Sequence, residues 1–221
     1  MAISLRLVPP GAARESIYEQ RYAVYVEELK YRQPHANPTA RAVVEPLDDT
    51  GSVFGLYDGD RLAGSVRVNY GDDHPDPAVA LGDYVTMYHL QDLPLEILRR
   101  TCIVTKMALN KAYRSAQLMQ TVSTGLYTHT RDHRPMARWC LIDCVPPLEA
   151  YFEALGYRRI GQPIRHPAVD HVVPMGFAIY DQAHFRLVGS PLGDHCPRQD
   201  DESVRWFEQT FGAAWAERFA E

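Results

Sequence analysis

Five carboxylates in this 221-residue chain could accept a proton in a reaction: Glu45, Asp48 and Asp49 in one short run, then Glu96, then Asp143. Each has a plain alternative as a solvated acid or as the ion-pair partner of a cation such as Arg21 or Arg67. Those two arginines have a further use, because a planar guanidinium can clamp a substrate carboxylate with two parallel hydrogen bonds. A third feature is a long stretch without acids. From Ile97 to Arg131 there is no Asp or Glu, while Arg99, Arg100, Lys106, Lys111, Arg114 and Arg131 are all present. In a chain of net charge −5 such a segment suits phosphates or an acidic partner, although a buried apolar segment would also lack acids. The helix expected from Ala116 adds free N–H groups and the positive end of a dipole to the same region, where an anion is favoured.

Other chemistries lack their signatures. There is no G-x-S-x-G and no placed Cys/His pair for nucleophilic hydrolysis. Cys102, Cys140, Cys144 and Cys196 form no CxxC pair, and nine histidines show no HExxH spacing, so no metal site is expected. Cys140 and Cys144 fall on one face of a strand, where thiols serve as small apolar packing. The acidic balance argues against nucleic acid as a partner. No apolar run approaches the roughly 20 residues needed to cross a bilayer. Residues 1–10 do not read as a signal peptide, so a cytoplasmic protein with no membrane span is expected.

The elements that must carry these groups follow from periodicity. Ile3 to Val8 alternates as a strand, and Ala12 to Leu29 carries Ile17, Tyr18, Tyr22, Tyr25 and Val26 as one amphipathic helix. Two strands, Ser52 to Tyr57 and Arg61 to Tyr70, flank the turn Asp58-Gly59-Asp60. Cys102 to Leu109 is a buried strand, followed by a helix from Ala116 to about Thr130. A strand from Arg138 to Cys144 leads to a helix opened by Pro146 and stopped by Gly156. Val172 to Tyr180 is the last core strand. The order predicts an α+β fold, a mixed sheet sandwiched by helices. Residues 1–185 form that domain. Residues 186–221 form a C-terminal helical extension with Trp206, Phe207, Phe211, Trp215 and Phe219, large apolar groups that something must cover.

Three local patterns in this order resemble the GNAT acyltransferase superfamily. They are the hairpin from Val53 to Val68, the strand and exit Lys106-Met107-Ala108-Leu109-Asn110-Lys111-Ala112-Tyr113-Arg114, and Tyr151-Phe152-Glu153-Ala154-Leu155-Gly156-Tyr157. The opening Arg21-Tyr22-Ala23-Val24-Tyr25-Val26-Glu27-Glu28-Leu29 and Tyr31 is similar to the start of acyl-homoserine-lactone synthases and the related N-acyl amino acid synthases. His166-Pro167 and Val173-Pro174-Met175 fit the second group better.

The resemblance implies an N-acyltransferase. It would move a medium- or long-chain acyl group from a thioester on acyl carrier protein or coenzyme A to an amine of an amino acid, related small molecule or peptide, without a metal. It implies Glu45, Glu96 and Lys106 as catalytic candidates. Arg21, Tyr25, Tyr31, Asp48, Asp49, Arg67 and Asp143 are candidates for the acceptor. Met107, Ala108 and Leu109 would lie along a pantetheine arm, with Arg114, Ser115, Ala116, Gln117 and Leu118 at the phosphate. This chain departs from the pattern in three places. Ile103 stands where the branch has Glu, Gln117 and Met119 replace small residues of the phosphate loop, and Phe152 occupies the place of the thiol-protonating Tyr. An acetyl-CoA-dependent acetyltransferase and a non-catalytic acyl-thioester or partner-binding domain are the rival readings.

Overall fold

The computed structural model describes residues 3–212. Strand β1 (Ile3–Leu7) is an edge, and a short 3-10 turn at Ala12–Arg14 leads into α1 (Glu15–Arg21). The helix does not continue as α. Over Tyr22–Glu28 it widens into a π-helix, with the Leu29 N–H donating to the Val24 carbonyl. Widened turns of this kind concentrate at functional sites. This one presses Val24 and Tyr25 onto Ala108. The single helix expected over Ala12 to Leu29 is therefore three pieces.

β2 (Ser52–Asp58) and β3 (Arg61–Tyr70) form the expected hairpin, with Gly59 at φ 62° in its turn. β4 (Thr101–Leu109), α2 (Ala116–His133), β5 (Trp139–Cys144) and α3 (Glu149–Ala154) follow. Gly156 stops α3 at φ 102°, where a Cβ would strike Phe185. β6 (Arg158–Arg159) and β7 (His171–Ala178) complete the main path, and Ile164–Arg165 pairs with the start of β7. The sheet order is β1-β2-β3-β4-β5-β7-β6. All neighbours on it are antiparallel except β4 and β5.

Alternation along the strands sends side chains to two faces. Phe54, Val66, Val68, Cys102, Cys140 and Ile142 pack beneath α2 with Leu118, Val122 and Leu126. Ile103, Trp139 and Leu141 face the other way, toward the short helices Pro77–Leu81 and Tyr84–Met87 and toward α4 (Asp201–Thr210). The sequence reading missed those two short helices because each is about one turn long, too short to show a period. α4 docks through Phe207 and Phe211, through Trp206, whose ring is tilted 40° with its centroid 4.3 Å from that of Trp139, and through the Trp139 indole N–H donating to the Ser203 carbonyl at 3.0 Å. Each buried aromatic of that face contributes about 1.5–3 kcal/mol. Trp215 and Phe219 lie outside the described residues. All four cysteines are free and buried. Among the described residues no helix is long and apolar enough to cross a membrane.

Candidate active site

The site begins where two parallel strands part. β4 and β5 pair from Thr101 and Trp139 to Val104 and Ile142, and then diverge. On its other side β4 stays paired with β3 as far as Leu109. The segment Thr105 to Leu109 thus presents one strand edge to a gap. Within it lies a bulge: β3 advances two residues from Ser65 to Arg67 while β4 spends three from Ala108 to Thr105. Lys106 takes the extra place at φ 53°, a left-handed conformation that costs a side-chain-bearing residue energy and persists only where its surroundings hold it. The bulge resets the alternation. Thr105 and Lys106 both turn toward the face that holds Arg67 and Glu45, while Met107 and Leu109 return to the face of Cys102 and Val104.

A cavity of about 680 Å³ runs through the gap. Beneath α2 it is apolar, lined by Cys102, Val104, Leu126, Ile142 and Phe177. On the opposite face it is bounded by Tyr25, Gln33, Tyr84, Lys106, Asp143 and His166. Two chambers of opposite character therefore meet at the open edge of β4. Tyr151 and Phe152 of α3 close the apolar side.

The polar chamber rests on a buried charge network. Asp48 receives two hydrogen bonds from the Arg21 Nη1, at 2.8 and 3.0 Å, and one from Arg67 at 3.2 Å. Arg67 also reaches Glu45 at 3.0 Å and the Thr105 hydroxyl at 3.2 Å. Lys106 Nζ contacts Glu45 at 2.5 Å and donates to Gln33 at 3.3 Å. Arg21, Asp48 and Arg67 have no exposed side-chain surface. Burial pushes the Asp48 and Glu45 carboxyls up. The cations beside them (Arg21 and Arg67, Lys106 and Arg67) outweigh it, and both acids are held below their ordinary range. Desolvation in turn lowers the Lys106 pKa against the pull of Glu45. At Asp143 burial wins, and its pKa is raised.

The fold gathers some of the expected residues and not others. Lys106, Tyr25, Tyr31 and Asp143 line the cavity, as do Met107, Leu109, Arg114, Ser115 and Ala116. Arg21, Arg67, Asp48 and Glu45 lie under the polar chamber and brace Lys106. Glu96 is at the surface, paired with Arg100, and Asp49 is exposed. Ala108 turns its methyl to Val24 and Tyr25, and its carbonyl accepts from Gln20 at 3.1 Å. The Leu109 carbonyl accepts from Arg114, whose other nitrogens grip Glu28 at 2.7 and 2.9 Å. Ser115 caps α2 by accepting the Leu118 N–H. Leu118 is buried in the core, and Gln117 faces a separate groove with Leu5 and Leu7. Sequence reasoning missed Tyr84 and Gln33 as cavity residues. His166 drew notice only for its neighbouring Pro. Among the described residues no group of three His, Cys, Asp or Glu is placed to hold a metal.

Known proteins carry the same architecture. The solved structure of FeeM, an N-acyl amino acid synthase from uncultured soil microbes, superposes with a TM-score of 0.61 at 14% identity, covering 85% of this chain and 96% of that one. The acyl-homoserine-lactone synthase LasI gives 0.61 at 9% identity over 80% and 89% of the two chains. The CoA-dependent acyl-homoserine lactone synthase BjaI, solved with SAM and isopentyl-CoA, gives 0.57 at 15% over 86% and 89%. At these identities the likeness is one of fold. No curated protein matches the chain. The family model described as N-acyl amino acid synthase FeeM matches residues 16–177. The chain belongs to the N-acyl amino acid synthase FeeM family and is a GNAT-like N-acyltransferase.

Proposed function

We propose that this protein transfers a medium- or long-chain acyl group from a pantetheine thioester to the amine of an amino acid or a closely related small molecule. The observation that carries this reading is the continuity of the two chambers through the gap between β4 and β5. An acyl tail would occupy the apolar side beneath α2, the thioester carbonyl would sit at the gap, and the amine would approach from the side of Lys106 and Asp143. A pantetheine arm has two amides and can lie along an open strand edge as a further strand does. The edge of β4 at Met107 suits it, with a main-chain N–H there for the developing oxyanion, while the Leu109 carbonyl beyond it is already held by Arg114. A short acetyl donor would leave most of the apolar chamber empty, which favours the longer chain over acetyl transfer.

The acceptor side holds Lys106 on one wall and Asp143 on another. A cation and a carboxylate together complement an amino-acid zwitterion, in keeping with the family's description. For the donor, the loop before α2 lacks the glycines that let main chain close around a pyrophosphate. That favours the single phosphodiester of acyl carrier protein, although BjaI in the same fold is CoA-dependent. The test is a mass-spectrometric search for amide product with the twenty amino acids and polyamines, using acyl donors of stepped chain length on both carriers. Amide formed from an amino acid, rising with chain length and faster from acyl carrier protein, is the expected result. Equal rates with acetyl and dodecanoyl donors would refute the long-chain assignment. A strong preference for acyl-CoA would refute the carrier assignment.

A further inference from the structure

In the polar chamber Asp143 extends from the end of β5 and lines the cavity. It faces His166, whose Nε2 lies 3.6 Å from Asp143 Oδ2, just beyond hydrogen-bonding range. His166 sits at the tip of the ribbon between Ile164–Arg165 and β7, where its own N–H donates to the Asp170 carbonyl. The same turn aims two more amides at the ring. Ala168 N–H and Val169 N–H both donate to Nδ1, at 3.0 and 3.3 Å.

Those two donors decide the tautomer. A nitrogen that accepts from two amides carries no proton, so the proton of the neutral ring lies on Nε2, the atom facing Asp143. Protonating Nδ1 would break both hydrogen bonds. The imidazole is therefore built as a fixed N–H donor and is unsuited to take a proton. The other acids of the site are engaged. Glu45 is consumed by Lys106 and Arg67, and Asp48 by Arg21 and Arg67. Among the described residues, Asp143 is the carboxylate that reaches the acceptor chamber with no Lys or Arg within ion-pair distance.

We infer that Asp143 is the base that takes the proton from the acceptor's ammonium group, and that His166 is its positioning residue. The inference rests on the acyl-transfer reading above. One ammonium proton passes to the Asp143 carboxylate. The freed amine attacks the thioester carbon, forming a C–N bond. The tetrahedral adduct collapses with cleavage of the C–S bond, and its second nitrogen proton goes to the departing thiolate. After the amide leaves, Asp143 returns its proton to water. Burial raises the Asp143 pKa and lowers that of His166, directions that suit a carboxylate base beside a neutral imidazole. The groups around Asp143 are His166 from the ribbon, Lys106 from β4, Tyr84 and Tyr88 from the segment before β4, Tyr25 from the π-helix, Cys144 on its own strand, and Glu45 behind Lys106.

The test compares wild type with Asp143→Asn and His166→Ala on two nucleophiles. One is the amino-acid acceptor, protonated at neutral pH. The other is hydroxylamine, already neutral there. With the amino acid, Asp143→Asn should lower kcat by about 100- to 10,000-fold, the usual span for general base catalysis, with the melting temperature unchanged or raised. With hydroxylamine the loss should shrink to less than about tenfold. His166→Ala should lower kcat with the amino acid by less than about tenfold, well short of Asp143→Asn, and should move the acidic limb of the kcat/KM profile to higher pH, because the ring N–H that faces the carboxylate is lost. Equal losses on both nucleophiles, or a loss under tenfold with the amino acid, would overturn the assignment. So would an acidic limb that persists unchanged in Asp143→Asn. If wild type acylates neither nucleophile, the underlying acyl-transfer reading fails instead.

Discussion

Leu126 of α2 projects into the apolar chamber from within the core, and replacing it by Phe adds three carbons to that wall. Each methylene moved from water into an apolar site is worth about 0.8 kcal/mol. An acyl tail that fills the chamber and loses room for two or three methylenes forfeits about 1.6–2.4 kcal/mol. At about 1.4 kcal/mol per tenfold, kcat/KM for the longest accepted chain should fall roughly 14- to 50-fold. Chains shorter by three or more carbons should be turned over about as fast as before. The assay is kcat/KM across a series of acyl donors differing by two carbons, on one carrier and with one amine. Retained activity on short chains reports intact folding within the same experiment. The reasoning is refuted if Leu126→Phe depresses every chain length equally, or if the wild-type preference does not shorten by at least two carbons.

Further outcomes follow from the polar side. Asp48→Asn leaves two buried guanidinium groups without their shared counter-ion and should cost about 3–5 kcal/mol, lowering the melting temperature by roughly 6–20 °C for a chain of this size; a loss under 1 kcal/mol in denaturant titration contradicts the network. Because the folded-state pKa of Asp48 is depressed, its stabilisation is complete above the unfolded value near about 4 and is lost as pH falls through the folded value. Acid unfolding of wild type should therefore set in below about pH 4, and the Asp48→Asn substitution should weaken that dependence. Lys106→Met should raise the KM for an amino-acid acceptor by about tenfold or more while that for the thioester changes little, since the cation lines the polar chamber proposed for the acceptor; steady-state kinetics in both substrates separates the two. The Tyr151 hydroxyl lies buried at the wall of the cavity with Ser123 beside it. Tyr151→Phe should lower kcat about tenfold or more, because that hydroxyl would give its proton to the departing thiolate as it takes the adduct's second nitrogen proton; an unchanged kcat would show that the proton passes without it.

The larger elements were legible because their signals are local. Asp58-Gly59-Asp60 marks its hairpin through the φ that only Gly takes cheaply, and the run that became β4 holds the Ile, Val, Thr and Met that suit a buried strand. The tail aromatics announced a face needing cover, and Phe207 and Phe211 supply it at Trp139. The site was legible only in part. Lys106 emerged from a motif, but the bulge that turns it beside Thr105 has no local sequence mark, since a left-handed Lys is held by its surroundings. Glu96 looked as eligible as Glu45, because exposure is decided by the short helix Leu95–Arg99, whose outward face a one-turn element does not reveal. Tyr84 and His166 come from segments too short for periodicity, and the capping of His166 by Ala168 and Val169 is a turn geometry, not a composition.

The central claim is that one passage between β4 and β5 holds the acyl tail on one side of the sheet and the amine on the other. A crystal structure with a non-hydrolysable acyl-pantetheine analogue tests it most directly. The expected density places the pantetheine arm along the edge of β4 at Met107 and the alkyl chain beneath α2 against Val104, Leu126 and Ile142. Density for the chain in the chamber of Lys106 and Asp143, or on the outer surface of the protein, would contradict it.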